Sequence, residues 1–164
     1  MYQKLLRLIT IMIKVNVFSE ENSWSKKIKK KEKLFNQVCK RFPKKYRFTK
    51  KKTFLTLLLS NNQKIKILNK KFRNKNKHTD ILSFPFDVKE KKLKEKYLGD
   101  IIISYNYMNK PRNLSNKQFT EKTVRIFIHG FLHLLGYDHI INRDYKEMLN
   151  EEEKIFKSIK KLFN

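Results

Sequence analysis

The chain contains four short apolar runs that have the character of β-strands. Apolar and polar residues alternate from Ile13 to Val17, which predicts a half-buried strand. The runs Thr53–Ser60, Ile81–Phe86 and Gly99–Ser104 predict three further strands, the last two antiparallel to each other. Pro85 cannot donate a backbone hydrogen bond, so it places its strand at a sheet edge or a strand end.

Apolar residues recur at helical spacing in four other stretches, which predict helices. These stretches are Ser25–Arg41, Lys64–Phe72, Leu114–Leu135 and Asn142–Phe163. The predicted buried positions are Ile28, Leu34, Phe35, Val38 and Phe42, then Ile65, Leu68 and Phe72, then Met148, Leu149, Ile155, Phe156, Ile159 and Leu162. The predicted breaks are Pro43, a turn at Asn61-Asn62, a charged loop from Lys89 to Lys96, and Pro111. This order predicts one α+β domain in which a small mixed β-sheet packs with helices.

Three of the four histidines lie between His129 and His139. His129 and His133 are four residues apart and project from one face of the third predicted helix. Gly136 tolerates a left-handed turn after that helix, so that His139 returns toward the first two. Three imidazoles would hold a transition metal and leave one tetrahedral position open, as in catalytic zinc sites. The alternative is a chance cluster of hydrogen-bonded core histidines.

The histidine spacing also matches the metzincin protease signature H-E-x-x-H-x-x-G-x-x-H at its three histidines and its glycine. Position 130 is the exception, because Gly130 occupies the place of the glutamate that acts as general base in those enzymes. A zincin-like metal helix followed by a glycine turn is therefore predicted, and peptide hydrolysis is the weaker functional hypothesis.

The chain carries a formal charge of +25, from 40 basic and 15 acidic residues. No acidic residue occurs between Lys33 and Thr79, which favours a polyanionic partner such as nucleic acid. The alternative is codon bias, because only seven of the basic residues are arginine and alanine is absent. Where glycine is this scarce, with three in the chain, each one is predicted to have a structural or functional reason.

The N-terminal residues 1–11 match no predicted element, and Met12 begins the first strand pattern. The domain is therefore predicted to span residues 12–164, with residues 1–11 as an extension from a mis-assigned start. The single Cys39 excludes an intramolecular disulfide and a cysteine-rich zinc site, and it fits a reducing cytoplasm. No stretch approaches the ~20 apolar residues of a membrane span, so no membrane association is expected.

Four motifs resemble those of the bacterial YbeY family of endoribonucleases and ribosomal RNA maturation factors. Leu68–Arg73 resembles L-N-x-x-[YF]-R, and Thr79–Pro85 resembles T-D-V-L-S-F-P. Gly99–Ser104 resembles G-D-I-x-I-S, and His129–His139 resembles H-G-x-L-H-L-x-G-Y-D-H. His78 departs from the pattern, because the family usually has proline there.

This resemblance implies one zinc ion held by His129, His133 and His139, with Arg73 and His129 as the catalytic residues. It also implies a cytoplasmic enzyme that acts on ribosomal RNA and the small ribosomal subunit, in maturation of the 16S 3′ end and in quality control.

Several roles remain open in the sequence. The planar fork of Arg73 suits a phosphate, but an ion pair with Asp80 or Asp100 is equally compatible. Asp138 either orients a ligand histidine or caps the turn after Gly136. Asp80 and Asp100 are otherwise expected to be structural.

Three functions are compatible with these motifs: a metal-dependent endoribonuclease, a ribosome-assembly RNA-binding factor with a structural metal, and a zincin-like metallopeptidase. The first two share every sequence feature, and a ribonuclease is the function predicted here.

Overall fold

A computed structural model of the chain describes residues 13–48, 51–86, 95–138 and 141–163. The predicted extension 1–11, most of the predicted loop 89–96, and His139 lie outside these ranges. Within them, the four predicted strands are present and form one sheet.

The sheet is mixed, with the strand order β1-β2-β4-β3. Its strands are β1 (Lys14–Ser19), β2 (Lys52–Ser60), β3 (Ile81–Pro85) and β4 (Glu95–Ser104). β1 and β4 run parallel to β2, and β3 pairs antiparallel with β4 at a free edge of the sheet. The predicted mixed sheet, the antiparallel pair and the edge position of Pro85 are therefore confirmed.

Six helices accompany the sheet in the described residues. They are α1 (Asn22–Lys27), α2 (Lys31–Lys40), α3 (Asn62–Arg73), α4 (Tyr105–Met108), α5 (Asn116–Leu134) and α6 (Asn142–Ile159). Short 3₁₀ turns follow at Lys44–Tyr46 and Lys160–Leu162. None of the helices in the described segments is both long enough and apolar enough to cross a membrane. The single-domain α+β prediction is confirmed.

Three predicted boundaries were wrong because tertiary contacts override local pattern. The predicted helix Ser25–Arg41 is two helices: the Trp24 indole is bonded to the Ser60 carbonyl, and the second helix is tied to β1 through Asn36. Asn61 is the N-cap of α3 rather than part of a turn, since its side chain accepts from the Lys64 amide at 2.9 Å. Strand β4 begins at Glu95, where pairing with β2 extends it.

The main core lies between the sheet and α5. Inward residues of the strands, such as Leu57 and Ile101, pack there with Phe127 and Phe131 of the helix. On the opposite face, α3 buries Ile65 against Leu82 and Ile102 in a much smaller cluster. Two predicted core positions were wrong, because Phe72 and Leu149 are 59% and 44% exposed.

A buried carboxylate attaches α6 to the 3₁₀ turn after α2. Glu151 is 6% exposed and accepts hydrogen bonds from the Tyr46 hydroxyl, Lys45 Nζ at 2.8 Å and Lys154 Nζ at 2.9 Å. Burial alone raises the pKa of Glu151, but these three donors outweigh it and lower the pKa to about 2. The carboxylate therefore stays charged in the folded protein over most of the acid range.

Acid is accordingly expected to destabilise the fold through Glu151. Its pKa is lowered from 4.5 to about 2 on folding, so the stabilisation is complete above pH 4.5 and is lost as the pH falls through 2. This amounts to about 3 kcal/mol. Denaturant titrations between pH 7 and pH 2 measure it. Glu151→Gln should flatten this dependence, whereas Glu32→Gln, at an exposed site on α2, should not; equal slopes in all three proteins would contradict the assignment.

Candidate metal centre

Helix α5 holds two of the predicted ligands on one face. A capping box between Ser115 and Gln118 begins the helix, and its buried side packs on the sheet. His129 and His133 lie one turn apart near its C-terminal end, with ring centroids 4.6 Å apart. Their Nε2 atoms are 3.1 Å apart. The predicted convergence of these two histidines is therefore present.

The other nitrogen of each ring, Nδ1, lies next to an oxygen that can accept a hydrogen bond but cannot donate one. His129 Nδ1 lies 2.7 Å from Glu152 Oε1, and His133 Nδ1 lies 2.8 Å from the Tyr137 carbonyl oxygen. Each Nδ1 is therefore the hydrogen-bond donor in its contact, and the Nε2 atoms of the two rings face each other. Because two lone pairs at this distance repel each other, the two Nε2 atoms share either a proton or a metal ion.

A zinc ion fits this donor pair. Imidazole nitrogens bind zinc at 2.0–2.1 Å, so two ligands of one tetrahedral ion lie roughly 3.3 Å apart, close to the 3.1 Å found here. The third predicted ligand, His139, lies outside the described residues. Within the described ranges no group of three His, Cys, Asp or Glu side chains is arranged to hold a metal.

The backbone turns at the C-terminal end of α5. The Gly136 amide donates to His133 O at 3.0 Å, and the Tyr137 amide donates to Leu132 O at 3.1 Å. Gly136 has a φ of +89°, which disfavours residues with a Cβ. The same reversal brings the Tyr137 carbonyl to His133.

Glu152 was not identified from the sequence. It lies in the acidic run Glu151–Glu153 of α6, and nothing in the sequence distinguishes it from its neighbours. Only the packing of α6 beside α5 brings its carboxylate to His129. A carboxylate in this position fixes the tautomer of the ring and strengthens its Nε2 as a metal ligand.

Removing this carboxylate should weaken metal binding without unfolding the protein. Glu152→Ala is expected to lower metal affinity by about 10- to 100-fold, whereas Glu152→Gln keeps an acceptor oxygen and should lose less. Competition with a chromophoric chelator measures both. Glu153→Gln is the control, because Glu153 pairs with Arg125 at 3.1 Å instead. Unchanged affinity in Glu152→Ala would remove the proposed role of this residue.

Gly130 lets α5 approach the edge of the sheet. A Cβ at this position would lie 2.6 Å from Ile81 Cδ1 and 3.0 Å from Ser83 Oγ. A glutamate here, as in the metzincin signature, would displace the Ile81 and Ser83 side chains, which adds a steric argument to the chemical one against the peptidase hypothesis.

Arg73 lies at the same edge of the sheet. Its Nη2 donates to the Ser83 carbonyl at 3.3 Å, and its guanidinium lies 5.9 Å from the centre of the Phe84 ring. In the described part of the chain it forms no ion pair with Asp80 or Asp100. Asp80 instead accepts from Thr79 Oγ1 and the Ile81 amide, both at 2.9 Å, as expected for a structural residue.

Comparison with known proteins assigns the family. The family described as "Endoribonuclease YbeY" matches residues 17–160. Endoribonuclease YbeY of Pelagibacter ubique is 60% identical over 149 residues, which cover 91% of this chain and 97% of that protein. Its counterpart in Persephonella marina is 39% identical over 67% of this chain and 72% of that protein. The solution structure of a Thermotoga maritima protein aligns with a TM-score of 0.51 at 26% identity, covering 92% of this chain and 91% of that one. The chain therefore belongs to the YbeY endoribonuclease family.

Proposed function

We propose that the protein is a zinc-dependent endoribonuclease that acts on ribosomal RNA of the small subunit, including the 3′ end of 16S rRNA. The observation that carries this proposal is the 3.1 Å pair of Nε2 atoms, oriented by Glu152 and Tyr137, in a chain of an endoribonuclease family. The catalytic domain spans residues 12–164, and residues 1–11 are an extension.

His129, His133 and His139 would hold the ion in a zincin-like helix and glycine turn. A bound zinc ion supplies Lewis-acid polarisation of a phosphoryl oxygen. Glu152 and the Tyr137 carbonyl keep a proton on each Nδ1, so that both Nε2 atoms are available as metal ligands. These contacts orient the histidines before substrate arrives, which reduces the cost of assembling the site.

Arg73 is proposed to bind the phosphate that is cleaved. Its hydrogen bond to the Ser83 carbonyl holds the guanidinium next to β3. The Ser83 side chain contacts α5 at Gly130, the residue after His129. A guanidinium offers a planar fork of N–H donors that matches two phosphate oxygens. Arg73 lies in the acid-poor segment between Lys33 and Thr79, and the lysines of this segment add attraction for the RNA backbone.

Cleavage of a structured small-subunit RNA fragment tests this proposal. The purified protein should cut the RNA under single-turnover conditions, lose activity after chelator treatment and dialysis, and regain it when one equivalent of Zn²⁺ is added. RNA binding that persists with no cleavage in any of these states would support the alternative, a ribosome-assembly factor with a structural metal.

Arg73→Lys separates phosphate positioning from general charge. The substitution keeps the positive charge and removes the fork, so cleavage at saturating RNA should fall about 10- to 100-fold while affinity changes little. Arg41→Lys, at an exposed site after α2, is the matched control and should cleave normally.

Neutralising several lysines between 33 and 79 should instead flatten the salt dependence of binding. Normal cleavage by Arg73→Lys would show that Arg73 does not meet the reacting phosphate.

A further inference from the structure

The sheet face opposite α5 is only partly covered. Helix α3 buries the row formed by Leu82 and Ile102, through Ile65. The neighbouring positions on the same face remain open and border a groove of about 560 Å³ between the sheet and α3. Its wall includes Phe18 of β1, Phe84 of β3 and Phe72 of α3.

Six aromatic rings lie in or beside this groove, and we refer to them as the aromatic face. They are Phe18, Phe54, Phe72, Phe84, Phe86 and Tyr97. Phe18 and Phe72 are each 59% exposed, and Phe86 is 54% exposed. Phe72 and Phe84 are in contact at 5.2 Å, and Tyr97 lies between Phe54 at 4.9 Å and Phe86 at 5.2 Å. Exposed rings grouped in this way are costly in water unless something covers them.

Cations of α3 lie along one side of the aromatic face. Lys64 lines the groove, Lys71 Nζ lies 5.3 Å from the centre of the Phe72 ring, and Arg73 lies over Phe84. Two acids also belong to this region. Glu20 is paired with Lys64 at 3.5 Å, and the Asp100 carboxylate accepts a hydrogen bond from the Tyr97 hydroxyl. The rim formed by α3 is therefore basic, and we refer to it as the basic rim, while the floor is aromatic with a single carboxylate.

We propose that the aromatic face binds a single-stranded segment of the RNA substrate, with bases stacked on its rings and phosphates directed to the basic rim. Stacking on aromatic side chains and a basic path for the backbone are the two features that single-stranded RNA sites combine. The carboxylate of Asp100 suits the amino groups of bases and repels phosphates, which keeps the backbone at the rim. An apolar protein segment would use the rings but would not use the cations of the basic rim.

This inference rests on the proposed function, because the RNA segment on the aromatic face is the continuation of the strand that is bound at the metal centre. Ser83 and Phe84 are consecutive residues of the edge strand β3, so their side chains point to opposite faces of the sheet. The Ser83 side chain meets α5 at Gly130, and Phe84 belongs to the aromatic face. Arg73 bonds to the first residue and stacks over the second. A single strand that crosses this edge at Arg73 reaches both sites.

Equilibrium binding of a fluorescent 2′-O-methyl oligouridylate of about 12 nucleotides tests the inference with the full chain. The double variant Phe18→Leu/Phe72→Leu keeps apolar area and removes two rings, so the Kd should rise about tenfold or more. Phe18→Tyr/Phe72→Tyr keeps the rings and should bind within about threefold of the parent. Ile67→Ala, which removes a 58% exposed aliphatic side chain from the same helix, is the control and should bind normally. Thermal unfolding verifies that each variant is folded.

A second probe separates stacking from charge. The same oligonucleotide with abasic units at its central positions keeps every phosphate, so it should bind weakly and equally to the parent and the leucine variant. An unchanged Kd in the leucine variant, or equal affinity for the two probes in the parent, would overturn the aromatic face as an RNA site. RNA cleavage by the parent in that event leaves the proposed function standing. The reverse pattern, ring-dependent binding without cleavage, removes the proposed function and keeps the aromatic face.

Discussion

His133→Ala is expected to lose both the bound metal and RNA cleavage. His133 Nε2 is one half of the 3.1 Å donor pair, and its ring is held in place by the Tyr137 carbonyl. Removing one of the three proposed ligands leaves two, too few to retain the proposed zinc ion against dilution. Metal content should fall from about one per chain to nearly none, and cleavage should fall by at least about a hundredfold, since even the loss of an outer partner costs 10- to 100-fold.

The fourth histidine provides a matched control for this experiment. His78 is exposed and lies 2.9 Å from the Tyr107 hydroxyl, outside the His129–His139 motif. His78→Ala should keep full metal content and normal cleavage. Elemental analysis of the purified variants, with single-turnover rates on the same RNA, measures both effects. A full complement of metal in His133→Ala would mean that the ion is bound elsewhere.

Gly99→Ala is expected to have the largest effect on stability among the three glycines. Gly99 has a φ of +133° and lies where the pairing of β4 with β2 is irregular. An added Cβ would lie 2.1 Å from the Phe84 carbonyl oxygen on β3. Backbone atoms of the paired strand must then move, so we expect a loss of at least about 3 kcal/mol, from strain and overlap together. For a chain of this size, that corresponds to a fall in Tm of roughly 6–12 °C.

The other two glycines calibrate this prediction. At Gly136 a Cβ meets nothing within 4 Å, so Gly136→Ala pays only for the left-handed backbone, about 1–2 kcal/mol. At Gly130 the atom nearest to an added Cβ is the flexible end of the Ile81 side chain. The higher helix propensity of alanine also offsets part of the free energy lost to this steric overlap. Thermal unfolding should therefore place Gly99→Ala lowest. A Tm for Gly99→Ala equal to that of Gly136→Ala would show that β3 and β4 can move apart to accommodate the Cβ without a further loss of stability.

Local pattern predicted most of the fold because each element is marked by its own periodicity. The buried side of β2 is the alternate set of residues in the apolar run from Thr53 to Ser60, and the histidine helix begins and ends within two residues of its predicted bounds. The pattern was inadequate where a distant contact decides a boundary. The hydrogen bond from Trp24 to Ser60 and the N-cap at Asn61 depend on groups that periodicity does not represent.

The sequence by itself determined that His129 and His133 share a face, because four residues make about one helical turn. It also indicated that the scarce glycines mattered, and it gave a reason for Gly136, a left-handed turn, but none for Gly99 or Gly130. Only the tertiary structure decided which groups orient the histidines. Glu152 reaches His129 because α6 packs beside α5, and 23 residues separate the two in the chain. The position of Arg73 was likewise settled by β3, because the Ser83 carbonyl is free to accept from it at the edge of the sheet. Contacts between elements depend on packing in three dimensions, which no spacing along one chain encodes.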